Sequence, residues 1–265
     1  MRRRRGFTLL ELVIVVGVLV ILTGLVLPNL DVFKQKANKG VSAANMADLS
    51  RVIQQFYAQN CVYPDRWDSL MNSTGTALWA ATYDANHNLQ PGLDSELTGG
   101  PIPGSPTKLT TTTISSDGYL RSLTRMGITT VLDQGDKSSS DFATDRFVTP
   151  RALANGGTVA TVNPADDDGK AIIAHLYPQS TDGSGNPVVP AGKMLVVVGI
   201  GPTNTMMGKA VQEVPSYPNR DVTVEYGRFL AVFEASDGGS PACLKTVLGA
   251  DGDTIGSETA EYYQK

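Results

Sequence analysis

Histidine and cysteine are almost missing from this chain of 265 residues: there are two of each, His87, His175, Cys61 and Cys243. With so few, no Cys/His or His/carboxylate grouping stands at a spacing that reads as a metal site or a nucleophile with its base. Charge is also scarce, at 18% of residues, and four of the basic side chains sit together at Arg2 to Arg5. Without that cluster the formal net charge falls from -4 to -8, and an acidic chain with no basic, aromatic-lined patch is a poor partner for nucleic acid. No alanine precedes Ala37, so the small-x-small cleavage site of an ordinary secretory signal is absent after the first apolar run. Gly199-Ile200-Gly201-Pro202 lacks the Lys-Ser/Thr pair that a phosphate-binding loop needs. Glycine (27) and proline (15) are plentiful, which excludes a simple helical bundle and implies turns and short strands.

What the chain does have is one long apolar run. Phe7 to Leu27 is a 21-residue segment whose only charge is Glu11, long enough to cross about 30 Å of hydrocarbon as a helix. The arginines before it predict a cytoplasmic N-terminus, an asymmetry that Lys34, Lys36 and Lys39 weaken from the other side. A carboxylate so near a spanning segment needs a partner. Thr8-Leu9-Leu10-Glu11 reads as a capping box, with Phe7 and Leu12 placed for a hydrophobic staple. The other reading is that cleavage after Gly6 turns Phe7 into a new N-terminus, whose amine pairs with Glu11 of an adjoining subunit.

Arg5-Gly6-Phe7-Thr8-Leu9-Leu10-Glu11, the apolar helix and Pro28 resemble the class III signal of type IV prepilins and type II secretion pseudopilins. The resemblance implies cleavage by a prepilin peptidase after Gly6, N-methylation of Phe7 and an assembly role for Glu11, fifth in the trimmed chain. It also implies that the helix near Pro28 loosens on assembly; read alone, Pro28 kinks the helix or ends the span.

After Pro28, apolar residues recur at Leu30, Phe33, Ala37, Val41, Ala44, Leu49, Val52, Ile53 and Phe56, the stripe of an amphipathic stem helix ending near Asn60. The Tyr-Pro turn and Trp67 to Met71 resemble the stem-to-head junction of the major pseudopilin. Between residues 72 and 192 loop signals dominate, with expected strands at Thr129 to Leu132, Arg146 to Leu153, Thr158 to Val162 and Ala171 to Tyr177. Lys108 to Ser116 and Asp166 to Gly169 read as polar loops. Strand signals return at Lys193 to Ile200 and at Val222 to Glu234, the latter bent at Gly227. The expected fold class is α+β: a long N-terminal helix, membrane span plus amphipathic stem, packed on a C-terminal antiparallel sheet with a long loop-rich insertion. The expected divisions are 1–6 leader, 7–27 span, 28–60 stem, 61–192 variable region, and 193–265 sheet head with its C-terminal loop.

Asp251, Asp253 and Glu258 crowd a glycine-bent tail that resembles the loop near the end of major pseudopilins, where calcium orders the last turn. A solvated acidic turn is the alternative. Export into an oxidising compartment, with a pilin-type head that brings its last strands back to the stem, leads to the expectation of a Cys61–Cys243 disulfide; separate inert thiols are the other reading. The resemblance implies a bacterial inner-membrane protein, its head in the periplasm, whose partners are an assembly platform and further copies in a helical filament. Glu11 favours a place in the shaft over a tip adhesin or DNA-uptake subunit. An enzyme tethered by the same anchor has no catalytic grouping to support it.

Overall fold

The structure is a computed structural model that describes residues 9–71, 74, 75, 77, 108–134, 150–218 and 226–263, with backbone alone for 24–29, 31 and 32. The first helix, α1, runs from Leu9 to Asn60. It passes through Pro28 as one helix, so the proline does not terminate it. Its upper half buries Ser42, Met46, Leu49, Ile53 and Phe56, spaced three and four apart on one face. This corrects the lower part of the expected stripe: Ala37, Val41 and Ala44 are exposed, and Ser42 and Met46 take the inward positions. The helix stops where Asn60 Nδ2 donates to the Phe56 carbonyl and Cys61 adopts φ 58°, the left-handed residue that commonly ends a helix.

One mixed, mostly antiparallel sheet forms the head. Its strands are β1 (Trp67–Asp68), β2 (Leu109–Thr113), β3 (Thr130–Leu132), β4 (Pro150–Ala152), β5 (Thr158–Val162), β6 (Lys193–Gly199), β7 (Leu230–Ser236) and β8 (Cys243–Leu248). The path runs β2-β5-β6-β1-β3-β4, and β7 joins β6 to β8. Among the described strand pairs, only β1 with β3 is parallel. The expected strands at 129–132, 158–162 and 193–200 are present; of 146–153 the described part holds β4, and of 222–234 it holds the start of β7. The Thr-rich segment read as a loop is β2, paired along all of β5, with the Thr112 and Thr161 hydroxyls 2.8 Å apart. β-branched threonine suits a strand as well as a polar turn.

Ala171 to Tyr177 is not a strand but lies almost wholly in α3 (Asp167–Leu176). Asp166, read as part of a polar loop, is its N-cap, accepting from the backbone N–H of Asp168 and Gly169 at 3.1 Å, and Asp167 and Asp168 suit the positive end of the helix. A Cβ on Gly169 would lie 1.9 Å from the Asn163 carbonyl oxygen, so only glycine fits there. Two more helices, α2 (Asp117–Thr124) and α4 (Ile255–Tyr263), had no clear signal in the sequence.

β7 and α1 meet through aromatic rings. Phe233 lies edge-on to Tyr63 at 5.1 Å and to Trp67 at 5.2 Å, and Tyr63 stacks on Tyr57 of the helix at 4.7 Å. Beside Phe233 the ladder to β8 shifts register, leaving Lys245 without a strand partner. Its ammonium instead reaches Glu234 at 3.1 Å, where Lys193 (2.8 Å) and the Tyr177 hydroxyl (2.5 Å) also converge. Burial alone would raise the Glu234 pKa, but Lys193, Tyr177 and Lys245 together bring it to about 2. A depressed carboxylate contributes stability above its unfolded value and loses it as pH falls through the folded one. Glu234 therefore contributes about 2 kcal/mol at neutral pH, after discounting for its surface position, lost between about pH 4.5 and 2. Glu234→Gln should lower stability at pH 7 and flatten the acid limb of a urea-unfolding series in that window; an unchanged limb would refute the assignment.

Candidate functional site

Two places on the molecule bear on function, and α1 carries both. At its start, Leu9, Leu10, Leu12, Val13, Ile14 and Leu19 point into open space, at 81% to 55% exposure, with Glu11 among them. Among the described residues no helix is long and apolar enough to cross a membrane; the described side chains of this apolar stretch end at Thr23.

Further along, α4 lies against the stem, and the loop before it forms the second place. The loop turns tightly: Gly249 N–H donates to the Asp253 carbonyl (2.9 Å), Asp253 N–H to Asp251 Oδ1 (3.2 Å), and Gly252 adopts φ 83°. A Cβ on Gly249 would stand 2.4 Å from Asp251 Oδ1. The turn thus aims Asp251, Asp253 and Glu258 at Lys39. Its ammonium lies 3.2 Å from Asp251, 3.6 Å from Asp253, 3.4 Å from Glu258 and 3.0 Å from Glu261. Lys108 adds a second cation, 3.0 Å from Asp253. Glu258 Oε1 accepts from Ser42 (2.8 Å) and from the Tyr217 hydroxyl (2.6 Å), which also contacts Asp251.

Asp251 and Glu258 are buried, which excludes the solvated acidic turn. Burial works against the charge on Lys39, yet Asp251, the hydrogen bond to Glu261, and the charges of Glu258 and Asp253 outweigh it and hold the ammonium above the ordinary lysine range. Burial likewise opposes the charge on Lys108, and Asp253 overcomes it. Burial raises the Glu258 carboxyl against the hydrogen bonds from Tyr217 and Ser42. It also pushes up the Tyr217 hydroxyl, with Asp251 next in effect.

Asp253, Glu258 and Glu261 each place a carboxylate oxygen within 4.8 Å of the others, a spacing a cation could use. Calcium, however, takes six to eight oxygens at about 2.3–2.6 Å, and here the carboxylates converge on an ammonium at ordinary N–O distances. The residues present do not fit a resident calcium.

Residues 1–27 match the family described as the prokaryotic N-terminal methylation motif. The N-terminal region is similar to that of type II secretion and type IV pilus subunits. Relatives extend the match past the motif. The type II secretion system core protein G of Dickeya chrysanthemi is 40% identical over 63 residues, 24% of this chain and 41% of that protein. The corresponding protein of Aeromonas hydrophila is 35% identical over 79 residues, 29% of this chain and 55% of its own length. The type IV wide pilus major component PilA4 of Thermus thermophilus is 32% identical over 72 residues, 27% and 55% of the two chains. The matches thus span about half the length of these relatives. No solved structure matches the chain.

Within the matched region Gly6 and Phe7 lie outside the described residues, Glu11 stands in the first turn of α1, and the side chain of Pro28 is not described. The expected disulfide is a correction: Cys61 and Cys243 are both free and exposed. The stem-to-head joint is made instead by Tyr63, whose hydroxyl accepts from the Leu244 N–H at 3.1 Å while its ring packs between Tyr57 and Phe233. Lys39, by contrast, was legible only as one of three lysines beyond the apolar run. The available signal was its position, since Lys39, Ser42, Met46 and Leu49 follow one another three and four apart on the face that turns inward.

Proposed function

We propose that the chain is a structural subunit of a type IV filament, a pseudopilin of a type II secretion system or a type IV pilin. It is cleaved after Gly6, held in the bacterial inner membrane by residues 7–27 with its head in the periplasm, and assembled through its N-terminal helix. The observation that carries this reading is the bare apolar start of a 52-residue helix whose other end is packed into the head. Leaving such a surface in water is costly, at about 25 cal/mol per Å². Lipid covers it before assembly, and neighbouring helices cover it in the fibre. Glu11, within the same surface, then meets the amine of a neighbour's Phe7, a pairing that sets the register between copies. Mass spectrometry of the filament or membrane fraction should find a chain that begins with methylated Phe7. A chain that keeps Met1 in cells containing the peptidase would overturn the reading.

A further inference from the structure

The cluster around Lys39 has the make-up of an ion site whose ion belongs to the chain. Four carboxylates surround one point, and the Lys39 ammonium occupies it, within 3.6 Å of all four. Glu258 Oε2 is buried without a hydrogen bond, and the ammonium at 3.4 Å is the cation it faces. A buried carboxylate so placed is costly unless a positive charge stands beside it. Gly40 lets α4 come close enough for this, because a Cβ there would touch the Tyr262 ring at 3.2 Å.

We propose that Lys39 is the resident cation of the C-terminal loop, so that the tail is clasped to the stem without calcium or any other divalent ion. The clasp then does not depend on the divalent-ion concentration around the head, and its strength is set by residue 39. Removing that charge leaves Asp251, Glu258 and Glu261 without their shared cation, while Lys108 still holds one oxygen of Asp253; the oxygens that remain are a set suited to a hard divalent cation.

The test compares the full chain in detergent with Lys39→Met and Lys39→Arg, each in chelator and in millimolar calcium. Thermal unfolding of the wild type and of Lys39→Arg should not respond to calcium. Lys39→Met should lose roughly 6–20 °C in chelator, the effect of breaking a buried ion pair in a chain of this size, and calcium should restore most of the loss. Terbium is a second probe, because Tyr217 touches two of the carboxylates and would sensitise its emission: none from the wild type at this loop, a signal from Lys39→Met. Calcium stabilisation or a terbium signal in the wild type, abolished by Asp251→Asn, would overturn the proposal even if Lys39→Met fails to fold. So would a Lys39→Met chain that is as stable as the wild type in chelator, or one that calcium does not rescue.

Discussion

Phe233→Ala should destabilise the head by about 3–5 kcal/mol, the range for removing a fully buried aromatic ring from a core. Phe233 is wholly buried in the middle of β7, between β6 and β8, where neither neighbour can move inward without breaking its ladder. Its ring is the shared contact of Tyr63 and Trp67, and each of these fixes a different part of the joint. Tyr63 holds the helix end through Tyr57 and takes the Leu244 N–H; Trp67 donates from its indole to the Pro64 carbonyl at 2.6 Å. The loss should therefore appear twice, as a fall in melting temperature on the order of 10 °C and as faster amide exchange at residues 57–67. Phe233→Leu, which refills most of the space, should cost about 1–2 kcal/mol. A change below about 1 kcal/mol in Phe233→Ala would show that the ring is not what joins stem to head.

Glu11→Ala should leave the chain in the membrane while sharply lowering filament yield. The carboxylate stands among exposed leucines and valines at the start of α1, so its removal makes the surface more apolar and does not hinder insertion. In the proposed fibre the same change leaves the amine of a neighbour unpaired in a low-dielectric layer, at about 3–5 kcal/mol per contact. Since 1.4 kcal/mol is a factor of ten, association at each contact weakens by more than about a hundredfold. The measurement is the amount of sheared filament against the amount of membrane-bound subunit. A normal filament yield would show that Glu11 only caps its own helix with Thr8.

The parts of the fold that could be read in the sequence are those whose signal is local. Lys193 to Ile200 is an apolar, β-branched run, and it forms the strand β6 at the centre of the sheet. Thr158 to Val162 likewise matches β5. The N-terminal motif from Arg5 to Glu11 is contiguous and ordered, and the match over residues 1–27 agrees with it. Misreadings arose where one residue type serves two purposes. Asp166 to Gly169 has the composition of a loop and the geometry of a capped first turn, and Leu109–Thr113 is polar by composition yet extended by shape. The Lys39 cluster was unreadable for a different reason: the ion pairs of Lys39 join residues 212 or more positions apart, and no periodicity links a lysine on a stem to carboxylates in a distant tail. The apolar stripe was misplaced below Leu49 for the same cause, since α4 decides which side of that part of the helix is covered.

The attachment of α4 to the stem also sets the order in which the molecule can be completed during synthesis. Ser42 and Glu258 are 216 residues apart, and at about 5–20 residues per second the ribosome needs roughly 10–45 s to travel between them. For that interval Lys39 and Ser42 have none of the acidic partners they hold in the finished fold, and the inward face of the upper stem lacks β8 and α4. Such distant contacts also form slowly once the chain is complete, because loop closure precedes any gain from them. A newly made chain thus passes through a state in which the stem is still open along one side. Chains stalled before residue 251 would remain there, with an uncovered stem available to proteases and to other growing chains.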